Sequence, residues 1–243
     1  MSKTLLSDKA DFKTFEGCPY FRDSLHSHTF LDAALRVTTK YHFSLIRANI
    51  ASELLRNFPS TLAAFDALTP ERLRRSQRKA LSVINLARDT SCLELLPSAF
   101  YLCCRMSARD ILHGAGKLLR SEDAIRCVVG RDELMNTWNK RTHPFLYKNF
   151  KSTTTFSIDS RPSCMKCYKS TSELLEYLLT RDDPEPLGLD LFTKWDVLGL
   201  CSKCVAPLQT QHQESREQLW EALPQIYALG SWEELRSQQA APG

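Results

Sequence analysis

Two Cys-x-x-Cys turns carry the sharpest chemical signal in the chain: Cys164-Met165-Lys166-Cys167 and Cys201-Ser202-Lys203-Cys204, with 33 residues between the pairs. Two residues between cysteines let a tight turn aim both sulfurs at one point, and two such turns supply four thiolates for a closed tetrahedral zinc site. Cys164, Cys167, Cys201 and Cys204 are therefore read as ligands of a structural Zn2+. Lys166 and Lys203, each beside the second cysteine of its pair, offset part of the negative charge that four thiolates leave on zinc. Spacings of about 15–20 residues between pairs are the more familiar form. Three other readings compete: a redox pair, which belongs after a strand in a βαβ unit, disulfides, which need an oxidising compartment, and unliganded thiols packed as small hydrophobes.

The remaining reactive residue types read more plainly. Cys103 and Cys104 sit in the apolar run Ala99-Phe100-Tyr101-Leu102, where burial disfavours a thiolate, so both are expected in the core, as are Cys18, Cys92 and Cys127. His212, eight residues after Cys204, is expected on the exposed side of a helix, and His26-Ser27-His28 on a surface loop. Gly114-Ala115-Gly116-Lys117 lacks the earlier glycine and the hydroxyl residue after lysine that a phosphate loop needs. Neither a Gly-x-Ser-x-Gly elbow nor a His-Glu-x-x-His motif occurs. The chain reads as a non-enzyme.

Charge is concentrated in one place. Arg72, Arg74, Arg75, Arg78 and Lys79 face a single Glu71, a local excess of +4 that equals the net charge of the entire 243-residue chain. This candidate basic surface reads first as the solvated face of an amphipathic helix. The lack of general basicity makes nucleic acid the less favoured partner. Composition is that of a globular protein, 43% hydrophobic and 25% charged. Its 8 glycines fall well short of the roughly 17 expected at an average usage of about 7%, which disfavours turn-rich sandwiches, barrels and glycine-looped nucleotide folds. The longest apolar run, Ala99 to Cys104, is far below the span of a bilayer. No membrane contact is expected, and an intracellular setting in cytoplasm or nucleus is.

The elements that must position these residues are mainly helical. Phe30 to Tyr41 and Ser44 to Pro59 repeat apolar residues at helical spacing, and Thr69-Pro70-Glu71 places a capping hydroxyl before a proline at the first helical position. Leu73, Ala80, Ile84 and Ala87 fall on one stripe. Leu93 to Cys104, apolar nearly all round, predicts a buried helix, and Ser107 and Ser121 open two more before Pro144 interrupts the pattern. Thr153 to Ile158 predicts the one short strand. Capping boxes start at Ser170, Thr193 and Ser231, and a long helix is expected over about Val205 to Ala222 with Leu208, Leu219 and Leu223 inward. The fold class is thus mainly α: an irregular helical bundle with at most one small β element and a C-terminal module closed by zinc on four cysteines. Expected units are a disordered 1–14, a segment over 15–58, a helical region over 59–150, the Cys-x-x-Cys module over 151–236 and a frayed 237–243. If zinc is bound, it would decide whether the last unit folds.

Three ordered groups of residues carry a resemblance. They are Phe15-Glu16-Gly17-Cys18-Pro19, Phe30-Leu31-Asp32-Ala33-Ala34-Leu35-Arg36-Val37-Thr38-Thr39-Lys40-Tyr41, and a run from Phe58-Pro59-Ser60-Thr61-Leu62 through Ile84-Asn85-Leu86-Ala87-Arg88 to Leu96-Pro97-Ser98-Ala99-Phe100-Tyr101-Leu102-Cys103-Cys104. Together they resemble the C-terminal part of fungal, basidiomycete-type BTB/POZ proteins. Gly199 to Cys204 and Trp220 to Pro224 resemble the Cys-containing helical extension of the same group. The resemblance implies a protein-interaction module of adaptor or scaffold type with protein partners and without catalytic residues. The half of a BTB domain that carries the dimer strand has no counterpart before Phe15, so the resemblance implies no dimer through the usual BTB surface, and any homo-oligomer is expected to use another one. Apolar faces between Phe30 and Phe58 must then pack on later helices or on another chain. A zinc-containing nucleic-acid-binding regulator and a thiol oxidoreductase stand as the alternatives.

Overall fold

The computed structural model describes residues 28–143, 188–193, 195–196 and 201–240. Across them the fold is mainly α, and no strand occurs among the described residues. The strand expected at Thr153 to Ile158, the capping box at Ser170, and Cys18, His26, Cys164 and Cys167 lie outside the described residues.

Helix α1 (His28–Lys40) turns through Tyr41 to Phe43 into α2 (Ser44–Leu55), with His42 in the left-handed region at φ 58°. Their inner faces are apolar: Leu31 and Leu35 from α1 meet Ile50 and Leu54 from α2, and Phe58 follows them into the core. Short α3 (Leu62–Asp66) is capped by Thr61, whose hydroxyl accepts from the Ala64 amide. Helix α4 (Pro70–Asp89) starts where the Thr-Pro signal places it, with the Thr69 hydroxyl accepting from the Arg72 amide. Its predicted stripe is its inner face: Ala80, Ile84 and Ala87 are buried, and Leu73 packs at the edge. The end of α4 is closed by a neighbour. Arg47 on α2 donates to the Thr90 carbonyl at 2.8 Å, placing a cation where orphan carbonyls and the helix dipole favour one.

The buried run after Cys92 is two elements rather than one. A 3-10 turn, Leu93–Leu95, precedes α5 (Leu96–Cys104), because Pro97 has no amide to donate and is accommodated only in a helix's first turn. Every residue of α5 is buried, which makes it the central helix. Helix α4 packs on it, followed by α6 (Ala108–Leu118) and α7 (Ser121–Glu133). A single wide π turn, Leu134–Trp138, leads into α8 (Asn139–Thr142). Gly114 to Lys117 lies within α6. Helix α9 (Ser202–Ile226), which also packs on α5, begins three residues before the predicted start and runs on to Ile226, through both Pro207 and Pro224. Helix α10 (Trp232–Ala240) opens with the complete capping box expected from sequence: the Ser231 hydroxyl accepts from the Glu234 amide, and the Glu234 carboxylate accepts from the Ser231 amide. Of the box expected at Thr193, the described residues are non-helical: Thr193 is irregular, and Trp195 and Asp196 lie in a turn.

One continuous apolar cluster runs from Leu31 to Leu235 and includes Leu219, Trp220, Leu223, Tyr227 and Trp232 of the last two helices and the turn between them. Trp232 stacks on Trp220 at 5.6 Å and donates to its carbonyl, while Tyr227 stacks on Phe100 at 5.0 Å. Gly130 of α7 is required here. A Cβ at that position would lie 2.3 Å from the Tyr227 ring.

Candidate functional site

The second cysteine pair straddles the start of α9. Cys201 is its N-cap, extended at ψ 160° and exposed, and its carbonyl accepts from the amides of Cys204 and Val205. Cys204 is buried, one turn later. The expected tight turn is thus a helix N-terminus. Positions three apart lie on one side of a helix, and the positive end of the dipole complements the negative charge of a zinc tetrathiolate. This half of the donor set fits a metal. Cys164 and Cys167 are outside the described residues, and no group of three metal-ligating side chains occurs among the described ones. Helix α9 is also anchored at its far end by the burial of Leu219, Trp220 and Leu223.

The basic cluster is split by the fold. All five side chains are exposed, as expected, yet they occupy two flanks of α4. Arg72, Arg75 and Lys79 line a cleft of about 380 Å³ against α1 and α2, with Arg56, Glu53 and His28 opposite and Leu31 and Phe58 at its base. Arg74 and Arg78 are not part of it. Arg56 is paired with Glu53 at 2.9 Å and Arg75 with Glu71 at 2.8 Å, whereas Arg72 and Lys79 enter no ion pair among the described residues. His28 is half-buried with its Nε2 shielded from solvent and unpartnered among the described residues. Burial, reinforced by nearby Lys79, pushes its pKa below the ordinary histidine value.

A second constellation, which sequence reasoning did not find, lies where residues 188–193 thread between α5, α8 and α9. Arg216 of α9 is fully buried. All five of its N–H donors are used: Nε and Nη2 donate to the Leu189 carbonyl at 3.0 and 2.8 Å, Nη1 to Asp66 at 3.2 Å and to Gln213 at 2.9 Å, and Nη2 also to the second Asp66 oxygen. The Leu189 amide in turn donates to the Tyr101 hydroxyl at 3.1 Å, and Asp190 pairs with Arg105. One buried cation thereby ties α3, the 188–193 segment and α9 together.

His212 is buried at 2% exposure, which corrects its expected place on a solvent face. Its cover comes from distant residues: the His143 ring 4.7 Å away, Trp195 at 5.8 Å, and the Phe192 backbone. The Phe192 amide donates to Nε2 at 3.1 Å, so the ring proton must sit on Nδ1, which donates to the Thr142 carbonyl at 2.6 Å. Both nitrogens are committed in the neutral form. Burial lowers the pKa of His212, and it pushes His143 down to about 3, with His212 and Arg216 adding to the effect.

Four cysteines behave as expected core thiols. Cys92, Cys103, Cys104 and Cys127 are buried. Cys127 lies 3.3 Å from Cys103 and Cys104 is in contact with Tyr227. The Cys103 contact and then burial push the Cys127 thiol far up, and burial does the same for Cys104. At Cys104 and Cys127 the environment therefore disfavours the thiolate, the nucleophilic form. Asp123, in the first turn of α7, is buried and held bidentately by Arg88 at 2.9 and 3.3 Å, with Arg126 at 3.0 Å.

Comparison of the chain with protein-family models, with curated proteins and with solved structures finds no match.

Two outcomes follow from the buried polar network. Asp66→Ala leaves the Arg216 charge buried without its counter-ion and should cost about 3–5 kcal/mol in denaturant unfolding, whereas Asp89→Ala, at an exposed pair, should cost under about 1 kcal/mol. For the histidines, the unfolded chain takes up protons below its ordinary pKa near 6.5, which the folded rings refuse. Stability is therefore intact above that pH and falls as pH drops from about 6.5 toward 3, by roughly 1.4 kcal/mol per pH unit for each fully excluded ring. Urea midpoints measured between pH 7 and 5 should show this slope, and His143→Gln should flatten it.

Proposed function

We propose that this chain is a non-enzymatic protein–protein interaction module of the adaptor type that the BTB resemblance implies, with a structural Zn2+ held by Cys164, Cys167, Cys201 and Cys204. One observation carries the interaction reading. The inner faces of α1 and α2 are satisfied within the core, yet their connecting corner leaves Val37, Tyr41, Phe43 and Leu45 outside, with Tyr41 and Phe43 59% and 52% exposed and their rings 6.3 Å apart. Single exposed apolar residues are ordinary, but a contiguous group at one corner marks a surface suited to a partner. Leu112, Ile125 and Val129 on α6 and α7 add a second group of large exposed apolar residues. Among the described residues no helix is long and apolar enough to cross a membrane. The zinc reading is supported by the sulfur spacing and by the helix N-terminus under Cys201 and Cys204.

Exchanging Tyr41 and Phe43 for serine should abolish selective capture of partner proteins, or self-association in sedimentation, while the melting temperature moves little because both rings are mostly in water. Unchanged capture and sedimentation would overturn the reading. For the metal, elemental analysis of protein purified without chelator should find about one zinc per chain, falling toward none in Cys201→Ser. A wild-type content below roughly a fifth of that stoichiometry removes the zinc. Because α10 is held through Trp220 and Trp232, Trp232 fluorescence should remain native in the Cys201→Ser protein.

A further inference from the structure

Helix α4 carries its positive charge on two flanks that differ in what faces them. On one flank Arg74 and Arg78 project to solvent, outside the cleft. On the other, Arg72, Arg75 and Lys79, at positions i, i+3 and i+7, form one wall of a recess whose other wall is Arg56, Glu53 and His28. At about 380 Å³ the recess is the size of a small-ligand site. Its polar equipment is one-sided. Glu53 is engaged with Arg56 and Glu71 with Arg75, so among the described residues Arg72 and Lys79 enter no ion pair and the shielded His28 Nε2 has no partner. Asn57 and the buried Ser76 add neutral polar groups to the lining, and Leu31 and Phe58 give an apolar base.

We propose that this recess binds a phosphomonoester carried on a small organic group. A phosphate dianion takes forked N–H donors from arginine and the point charge of lysine, and Arg72, Arg75 and Lys79 offer both. The apolar base favours an ester over free phosphate. An extended polyanion would use both flanks of α4 equally, and the concave walls exist on one flank only. The ester has two sources, a free metabolite or a phosphorylated side chain of a partner protein. Only the second source rests on the interaction reading above. The recess and the Tyr41–Phe43 corner lie at opposite ends of α1, about 18 Å apart along its axis, so either can fail alone.

Calorimetric titration of the full chain with phenyl phosphate, inorganic phosphate, and a phosphotyrosine peptide beside its unphosphorylated form tests this. Phenyl phosphate should bind several-fold more tightly than inorganic phosphate. Arg72→Ala with Lys79→Ala should weaken it by about tenfold or more, and Arg74→Ala with Arg78→Ala, the same loss of charge on the other flank, should leave it within about twofold. Melting temperatures establish that both variants are folded. Phosphopeptide binding tighter than phenyl phosphate assigns the partner source, and equal binding assigns the free ester. Absence of phenyl phosphate binding, equal loss in the two double variants, or tighter binding of an oligonucleotide that depends on both flanks would each overturn the proposal.

Discussion

Burying a guanidinium is costly unless every donor is satisfied and its charge is met. Arg216 meets both conditions, with five bonds to three acceptor groups. Those acceptors come from three separate stretches of chain: Asp66 at the end of α3, the Leu189 carbonyl in the irregular 188–193 segment, and Gln213 on α9 itself. The arrangement converts one desolvated charge into a set of distance constraints among parts that apolar packing alone would leave free to slide. Tyr101 extends it to the central helix by accepting from the Leu189 amide. The neutral histidine pair sits beside it and depends on the same threading segment, since the Phe192 amide determines the His212 tautomer.

Other ion pairs of the fold follow the same logic at lower stakes. Asp89, at the last position of α4 where a helix dipole disfavours an acid, is met by Arg36 of α1 at 2.7 Å and Arg120 before α7 at 2.9 Å. Asp123 and Arg88 join the other side of α4 to α7. The basic excess of α4 is set apart from these joints, toward the opposite end of the helix where the recess lies.

What the amino-acid pattern makes legible is what a helix decides for itself. Thr69-Pro70, the Ser231 to Glu234 box, the Ala80-Ile84-Ala87 stripe and the all-apolar α5 were readable because cap, period and burial are local. His212 was not, because its burial is conferred by His143 and Phe192, which are remote in sequence, and a histidine among glutamines looks like any surface residue. Arg216 was hidden the same way inside a polar stretch. The basic cluster was visible as charge, but its division into two flanks depends on where α1 and α2 come to rest. Half of the cysteine set, Cys201 and Cys204, proved to begin a helix because Ser202 and Lys203 accept helical geometry behind an extended cap.

The prolines of α9 give that long helix an uneven stiffness. Pro207 cannot donate to the Lys203 carbonyl, so one bond of the ladder is missing between the sulfur-bearing first turn and the portion gripped by Asp66 and the aromatic stack. A disturbance at Cys201 therefore meets a gap in the hydrogen-bond ladder before it reaches Arg216.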